Sequence, residues 1–231
     1  MMKQRTAART PIVIALALAV LLGPFLARSA IGREPTTYST IAPRGIVVVG
    51  DSITALYNDE QGDAMQGWWS VVGHHYDAHV TTYAQSGSGY LRPGKGCTGD
   101  RFIDRQRAFT GDPPSLFIIE GGRNDWALCK DGRFVAASDA AIEHAVDTYL
   151  GTLTAFLPRS TRIIVMGPPW GPLDPGNGER VSRIIEAVSA TYGLEFIPTT
   201  DALTQSRVVD GVHPNRAGSV AIADRVISAL G

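Results

Sequence analysis

Residues 45–54 read Gly45-Ile46-Val47-Val48-Val49-Gly50-Asp51-Ser52-Ile53-Thr54. Ile46 to Val49 is an unbroken β-branched run, and Gly50 ends it. Such a run has no solvated face, so it predicts a strand covered on both sides. Gly50 permits a sharp exit that a bulkier residue would resist. Ser52 then stands where the chain leaves the sheet, with its hydroxyl and N–H above the strand ends.

Working outward, four further runs read as strands: Ala78 to Ala84, Ser115 to Ile119, Arg162 to Met166 and Leu194 to Ile197. Helical signals lie between them. Ala64 to His75 is the first. Ser138 to Phe156 is the clearest, with Ser138 as cap and Ile142, Val146, Tyr149, Leu150 and Leu153 at helical spacing. Glu179 to Tyr192 follows, closed by Gly193. Pro214 is expected to start the last helix at its first position. Strands alternating with helices predict a parallel sheet with helices on both faces. The expected architecture is one three-layer α/β/α domain over 44–231, flavodoxin-like, with a mostly parallel five-stranded sheet. Ligands of such sheets bind beyond the carboxyl ends of the strands, so chemistry is sought in the residues that follow each strand.

Composition narrows the function. The chain has 231 residues and a net charge of −1. A nearly neutral chain carries no electrostatic footprint for nucleic acid. Lys3, Arg5 and Arg9 precede an uncharged apolar run from Pro11 to Ala27. Residues 1–30 therefore read as a signal peptide, with Ala27, Ser29 and Ala30 offering cleavage sites, or as a membrane anchor. In both cases this segment contacts the membrane at least during export, and the rest of the chain is extracytoplasmic, either secreted or anchored. Residues 31–43 read as a linker. Cys97 and Cys129 are the only cysteines. In an exported protein two cysteines usually pair, and closing that loop is worth roughly 3–4 kcal/mol. The alternative is two unrelated buried thiols. No cysteine or histidine spacing suits a metal site.

Four blocks carry candidate chemistry. Gly50-Asp51-Ser52 follows the first strand, and Gln85-Ser86-Gly87-Ser88-Gly89 the second. Gly121-Gly122-Arg123-Asn124-Asp125 follows the third, and Asp210-Gly211-Val212-His213-Pro214 precedes the last helix. A hydroxyl, an amide and an imidazole with a nearby carboxylate are the groups that acyl transfer requires. His213 alone among the histidines has a carboxylate three residues before it and a proline after it.

In content and order these blocks resemble those of the SGNH (GDSL-type) hydrolases, and they span nearly the whole folded region. The resemblance implies that Ser52 is the nucleophile and donates its N–H to the oxyanion. It implies His213 as base, oriented by Asp210, and the Asn124 amide as an oxyanion donor. It implies a glycine N–H as a further donor, with Gly89 the best match and Gly87 the alternative; Ala84 stands where the family usually has asparagine. The implied function is an exported serine esterase working through an acyl-enzyme, with no metal or organic cofactor. Its partners would be a small-molecule ester, a lipid or an acylated glycan. A carbohydrate esterase acting on cell-envelope glycans, an acyltransferase and a non-catalytic exported binding module are the alternatives. The absence of a G-x-S-x-G elbow argues against a standard α/β-hydrolase.

Remaining residues have less pointed readings. His74, His75 and His79 are expected at the surface rather than on a metal. Of Trp68 and Trp69, one is expected in the core and the other beside a groove. Trp170 either flanks substrate or packs within its loop. Asp201 is a rival partner for His213. A Cys97–Cys129 bridge would tie the glycine loop to the segment after Asn124.

Overall fold

The β-branched run forms β1 (Gly45–Gly50), the centre from which the sheet grows. Beside it lie β2 (His79–Ala84) and β3 (Leu116–Glu120), both parallel to it. The order is completed by a fourth and a fifth strand, Arg162–Met166 and Glu195–Ile197. A computed structural model describes residues 43–55, 67–173 and 176–231. The expected signal or anchor segment at 1–30 and the linker at 31–43, Pro43 excepted, lie outside the described residues.

Two short strands come between β3 and Arg162–Met166. These are β4 (Ala127–Lys130) and β5 (Arg133–Ala136), an antiparallel hairpin apart from the main sheet. The later sheet strands are therefore β6 (Arg162–Met166) and β7 (Glu195–Ile197). The main sheet runs β2-β1-β3-β6-β7, all parallel. This is the flavodoxin-like order, and its switch point falls between β1 and β3. The sequence reading did not include the hairpin. Its turn is Asp131-Gly132, both in the left-handed region, at φ 51° and 71°. Asp-Gly is a strong hairpin signal, but the flanking strands have four residues each and no clean apolar alternation.

Helices cover the sheet as the alternation predicts. They are α1 (Ser52–Ala55), α2 (Trp68–Tyr76), the single turn α3 (Gly94–Cys97), α4 (Asp139–Phe156), α5 (Asn177–Thr191) and α6 (Arg216–Leu230). Of the helix expected from Ala64, residues 64–66 lie outside the described residues. Ser138 caps α4 by accepting the Ala141 N–H at 3.2 Å. The last helix starts later than expected. Asn215 is its cap, accepting the Gly218 N–H at 3.0 Å, while Pro214 pairs with Val208 in a short antiparallel bridge. An asparagine oxygen satisfies a first-turn N–H directly, which a proline ring cannot.

Alternate residues of β1 feed two cores. Val49, with Phe117 and Ile119 of β3, packs against Val146, Leu150 and Ile185 of α4 and α5. Ile46 and Val48, with Ile118 of β3, pack against Val72, Ile222 and Val226 of α2 and α6. All five β3 residues are buried, the last of them Glu120. Each fully buried large aliphatic contributes about 1.5–3 kcal/mol. A rigid sheet sandwiched this way fixes where the strand ends point, and the candidate chemistry sits there.

Candidate active site

Ser52 begins α1 directly after the β1 exit and is 8% exposed. The carboxylate of Asp51 turns back to accept the Ile53 N–H at 2.8 Å, which fixes the turn carrying the serine. Its other oxygen accepts from Nδ2 of Asn124 at 3.2 Å. Burial pushes Asp51 up to about 6, opposed by the Ile53 N–H and the positive charges of Arg123 and Arg105.

Beneath Asp51 lies a second buried acid. Glu120, at the end of β3, accepts from Thr54 Oγ1 at 2.7 Å and from the Asp51 N–H at 3.4 Å. Burial and the charge of Asp51 drive its carboxyl well above the usual range. Two carboxyls so close in a dry site oppose each other's ionisation, and both are pushed upward. Trp68 donates to Thr54 Oγ1 at 3.2 Å and Trp69 to the Thr54 carbonyl at 3.1 Å. Trp68 is the core tryptophan, and Trp69 is half-buried.

The glycine loop after β2 is held by Asp125. That carboxylate accepts the N–H groups of Tyr90 at 2.9 Å and of Leu91 and Arg92 at 3.0 Å each. Burial pushes Asp125 up to about 6, while those donors pull it down. Gly89 lies against the carboxylate; a Cβ there would sit 2.2 Å from Oδ1. The Gly89 N–H is donated to the Arg92 carbonyl at 2.9 Å, so it offers no spare hydrogen. To act as the expected oxyanion donor, Gly89 would have to give up that bond. The Gly87 N–H has no acceptor among the described residues, nor has that of Ser52. Gly87 has φ 78°, a conformation that favours glycine.

Asn124 lies in the 3-10 turn Arg123–Trp126 that follows β3. Its Nδ2 donates to the Ser88 carbonyl at 2.9 Å as well as to Asp51. Both amide hydrogens thus have protein acceptors, the longer bond being the one to Asp51. Trp126 ends this turn and is 39% exposed, a large apolar surface beside the asparagine that the sequence reading passed over.

On the opposite side, Gly211 adopts φ 83° and lets the chain between β7 and α6 fold back on itself. Asp210 accepts the Val212 and His213 N–H groups at 3.0 and 2.8 Å, and its other oxygen meets His213 Nδ1 at 2.7 Å. Burial alone would raise the Asp210 carboxyl, but the His213 N–H, its imidazole and the Val212 N–H hold it at about 2. An ionised carboxylate only accepts, so Nδ1 carries the proton and Nε2 keeps a lone pair. The His213 carbonyl accepts from Val209 N–H at 2.9 Å, closing the short bridge that fixes this loop. Asp201, the rival carboxylate, pairs instead with Arg225 at 3.0 Å.

The loop after β6 touches the histidine loop, since a Cβ on Gly171 would meet the Gly211 carbonyl at 2.3 Å. Trp170 in that loop is 4% exposed, with the Arg123 guanidinium 4.8 Å from its ring centroid. Of its two readings, the structure favours packing. Cys97 and Cys129 form a disulfide joining α3 to β4. His74, His75 and His79 are exposed.

The sequence pattern of the GDSL-like Lipase/Acylhydrolase family matches residues 48–221. Over 190 residues the chain is 28% identical to the GDSL lipase Rv0518 of Mycobacterium tuberculosis, covering 78% of this chain and 79% of that protein. Among solved structures it resembles a family two carbohydrate esterase from Clostridium thermocellum in complex with cellohexaose. That match has a TM-score of 0.65 and 17% identity, and covers 81% of this chain and 63% of that one. A carbohydrate acetylesterase family member from Sinorhizobium meliloti matches with a TM-score of 0.61 and 17% identity, over 81% of this chain and 98% of that one. At these identities the structural likeness is one of fold.

Proposed function

We propose that this chain, which belongs to the GDSL-like lipase/acylhydrolase (SGNH) family, is an exported serine esterase that cleaves carboxylic esters through an acyl-enzyme. The observation that carries the reading is the 2.7 Å contact between His213 Nδ1 and an ionised Asp210. It leaves Nε2 as the basic atom of the imidazole, with the ring held in place by a loop that Gly211 folds back before α6.

His213 takes the Ser52 proton as the hydroxyl attacks the ester carbonyl. Asp210 holds the ring and stabilises the imidazolium. The oxyanion is received by the N–H groups of Ser52 and Gly87 and by the Asn124 amide. Asn124 reaches it by giving up its longer bond, the one to Asp51. His213 then protonates the leaving alcohol, and water, activated by the same imidazole, releases the acid. Preorganised donors of this kind are worth about 3–4 kcal/mol each at the transition state. The apolar N-terminal run supports export, since a positive flank followed by such a run is how exported chains are addressed.

A second reading is removal of acetyl groups from glycans by the same residues. It is favoured by the two carbohydrate esterases among the structural neighbours and by exposed Trp126 beside Asn124. Labelling by a fluorophosphonate, lost in Ser52→Ala, tests the nucleophile. Failure of the folded wild type to label would instead favour a non-catalytic binding module. A panel of short and long acyl esters and acetylated oligosaccharides separates the two substrate classes.

A further inference from the structure

Arg105 lies between two 3-10 turns, Phe102–Asp104 and Gln106–Ala108, and is 9% exposed. Among the described residues no carboxylate lies within ion-pair distance of it. Four of its five N–H groups are directed at neutral oxygens instead. One nitrogen donates to the Gly50 carbonyl at 2.7 Å and the Tyr83 carbonyl at 3.0 Å. The other donates to the Ser88 hydroxyl and to the Asp100 carbonyl, the latter at 3.2 Å. These acceptors belong to the exits of β1 and β2, the glycine loop and the segment that returns from it.

Burying a permanent cation without a carboxylate in direct contact is costly, so its four neutral acceptors must be held firmly. Two of them lead straight to the proposed chemistry. Gly50 is followed by Asp51 and Ser52. Ser88 follows Gly87, and its carbonyl accepts from the Asn124 amide. We propose that Arg105 is a positioning residue that locks the nucleophile turn and the oxyanion loop into one register. The inference rests on the esterase reading for its kinetic consequences, though not for the clamp itself. A lysine could not reproduce it, because one ammonium cannot span the sites of a planar fork.

The test compares wild type, Arg105→Lys and Ser88→Ala, which removes one acceptor and leaves the cation in place. Arg105→Lys is expected to lower kcat on a short acyl ester about 100-fold, the scale of an ångström-sized misplacement, with KM within about threefold. The affinity of an alkyl boronic acid, which mimics the tetrahedral adduct, should fall in parallel. Hydrogen exchange of segments 50–55 and 85–92 should quicken together. The proposal is overturned if folded Arg105→Lys keeps kcat within about threefold of wild type and exchanges both segments at the wild-type rate. If Arg105→Lys does not fold, the same two readouts on Ser88→Ala decide it, with a kcat loss of about tenfold expected. Should the wild type neither label nor turn over while the variants still loosen both segments, the clamp stands and the esterase reading falls.

Discussion

Replacing Gly89 with alanine should strike the loop through Asp125 rather than through backbone strain. The added Cβ would lie 2.2 Å and 2.5 Å from the two carboxylate oxygens. Ordinary van der Waals contact begins near 3.4 Å, so one group must move by about 1 Å. The carboxylate is not free to do so, because three N–H groups hold it at 2.9–3.0 Å. A 1 Å retreat stretches those bonds beyond hydrogen-bond range. Each bond to a charged acceptor is worth about 1.5–3 kcal/mol, so losing two costs about 3–6 kcal/mol. The melting temperature should fall by roughly 6–24 °C for a domain of this size. Because the loop also bears Gly87 and Ser88, kcat on a short ester should drop about 10- to 100-fold. Gly87→Ala is the control. Its Cβ meets nothing closer than 3.8 Å, so only the strain of φ 78° applies, about 1–2 kcal/mol. Urea titration and steady-state kinetics read both. Equal stability losses in the two variants, or a Gly89→Ala protein within about 1 kcal/mol of wild type, would refute the Asp125 clamp.

Other perturbations have equally definite outcomes. Asp210→Asn should lower kcat about 1,000-fold or more with KM little changed, because an amide no longer dictates the tautomer of His213; a loss under tenfold would remove Asp210 from the machinery. Since Asp210 is held at about 2, its favourable contribution is present above its unfolded value and is lost only as pH falls through about 2. An acid limb in kcat/KM above pH ~4 should therefore persist in Asp210→Glu without tracking this carboxyl. Glu120 has its folded pKa raised, so its share of stability is present at acid pH and lost as pH rises through that value. Glu120→Gln should flatten the decline of the urea midpoint as pH rises above the ordinary carboxylate range, and an unchanged slope would show Glu120 to be ionised in the fold. Opening the Cys97–Cys129 bridge, by reduction or as a double alanine variant, should cost roughly 3–4 kcal/mol for the loop it closes and lower kcat by loosening the glycine loop; unaltered melting and turnover would count against both effects.

The main sheet was legible in the sequence because its central strands β1, β3 and β6 carry continuous apolar runs flanked by breakers, while the edge strands β2 and β7 are more polar. A chain of that pattern has one economical way to bury itself, with helices on both faces. The residues of the nucleophile and histidine turns were legible for a related reason. Gly50-Asp51-Ser52 and Asp210 to His213 are short blocks whose chemistry and local geometry are written side by side, and the Asp210–His213 contact spans only three residues. The hairpin at Asp131-Gly132 left a turn signal, but its strands are too short and too exposed for periodicity to mark them.

What the tertiary structure alone decided is the web of buried charge under those turns. Asp125 holds a loop 33–35 residues before it, Glu120 binds Thr54 across 66, and Arg105 reaches Gly50 across 55. No local pattern encodes such partners, because the fold brings them together and the low dielectric around them then sets their strength. The bond from the Gly89 N–H to the Arg92 carbonyl belongs to the same class: in sequence Gly89 is the better match to the family glycine, and only the fold shows that its hydrogen already has an acceptor. A linear pattern gives the side chains available to the strand ends, whereas which N–H remains unpaired there depends on how the loop closes in three dimensions.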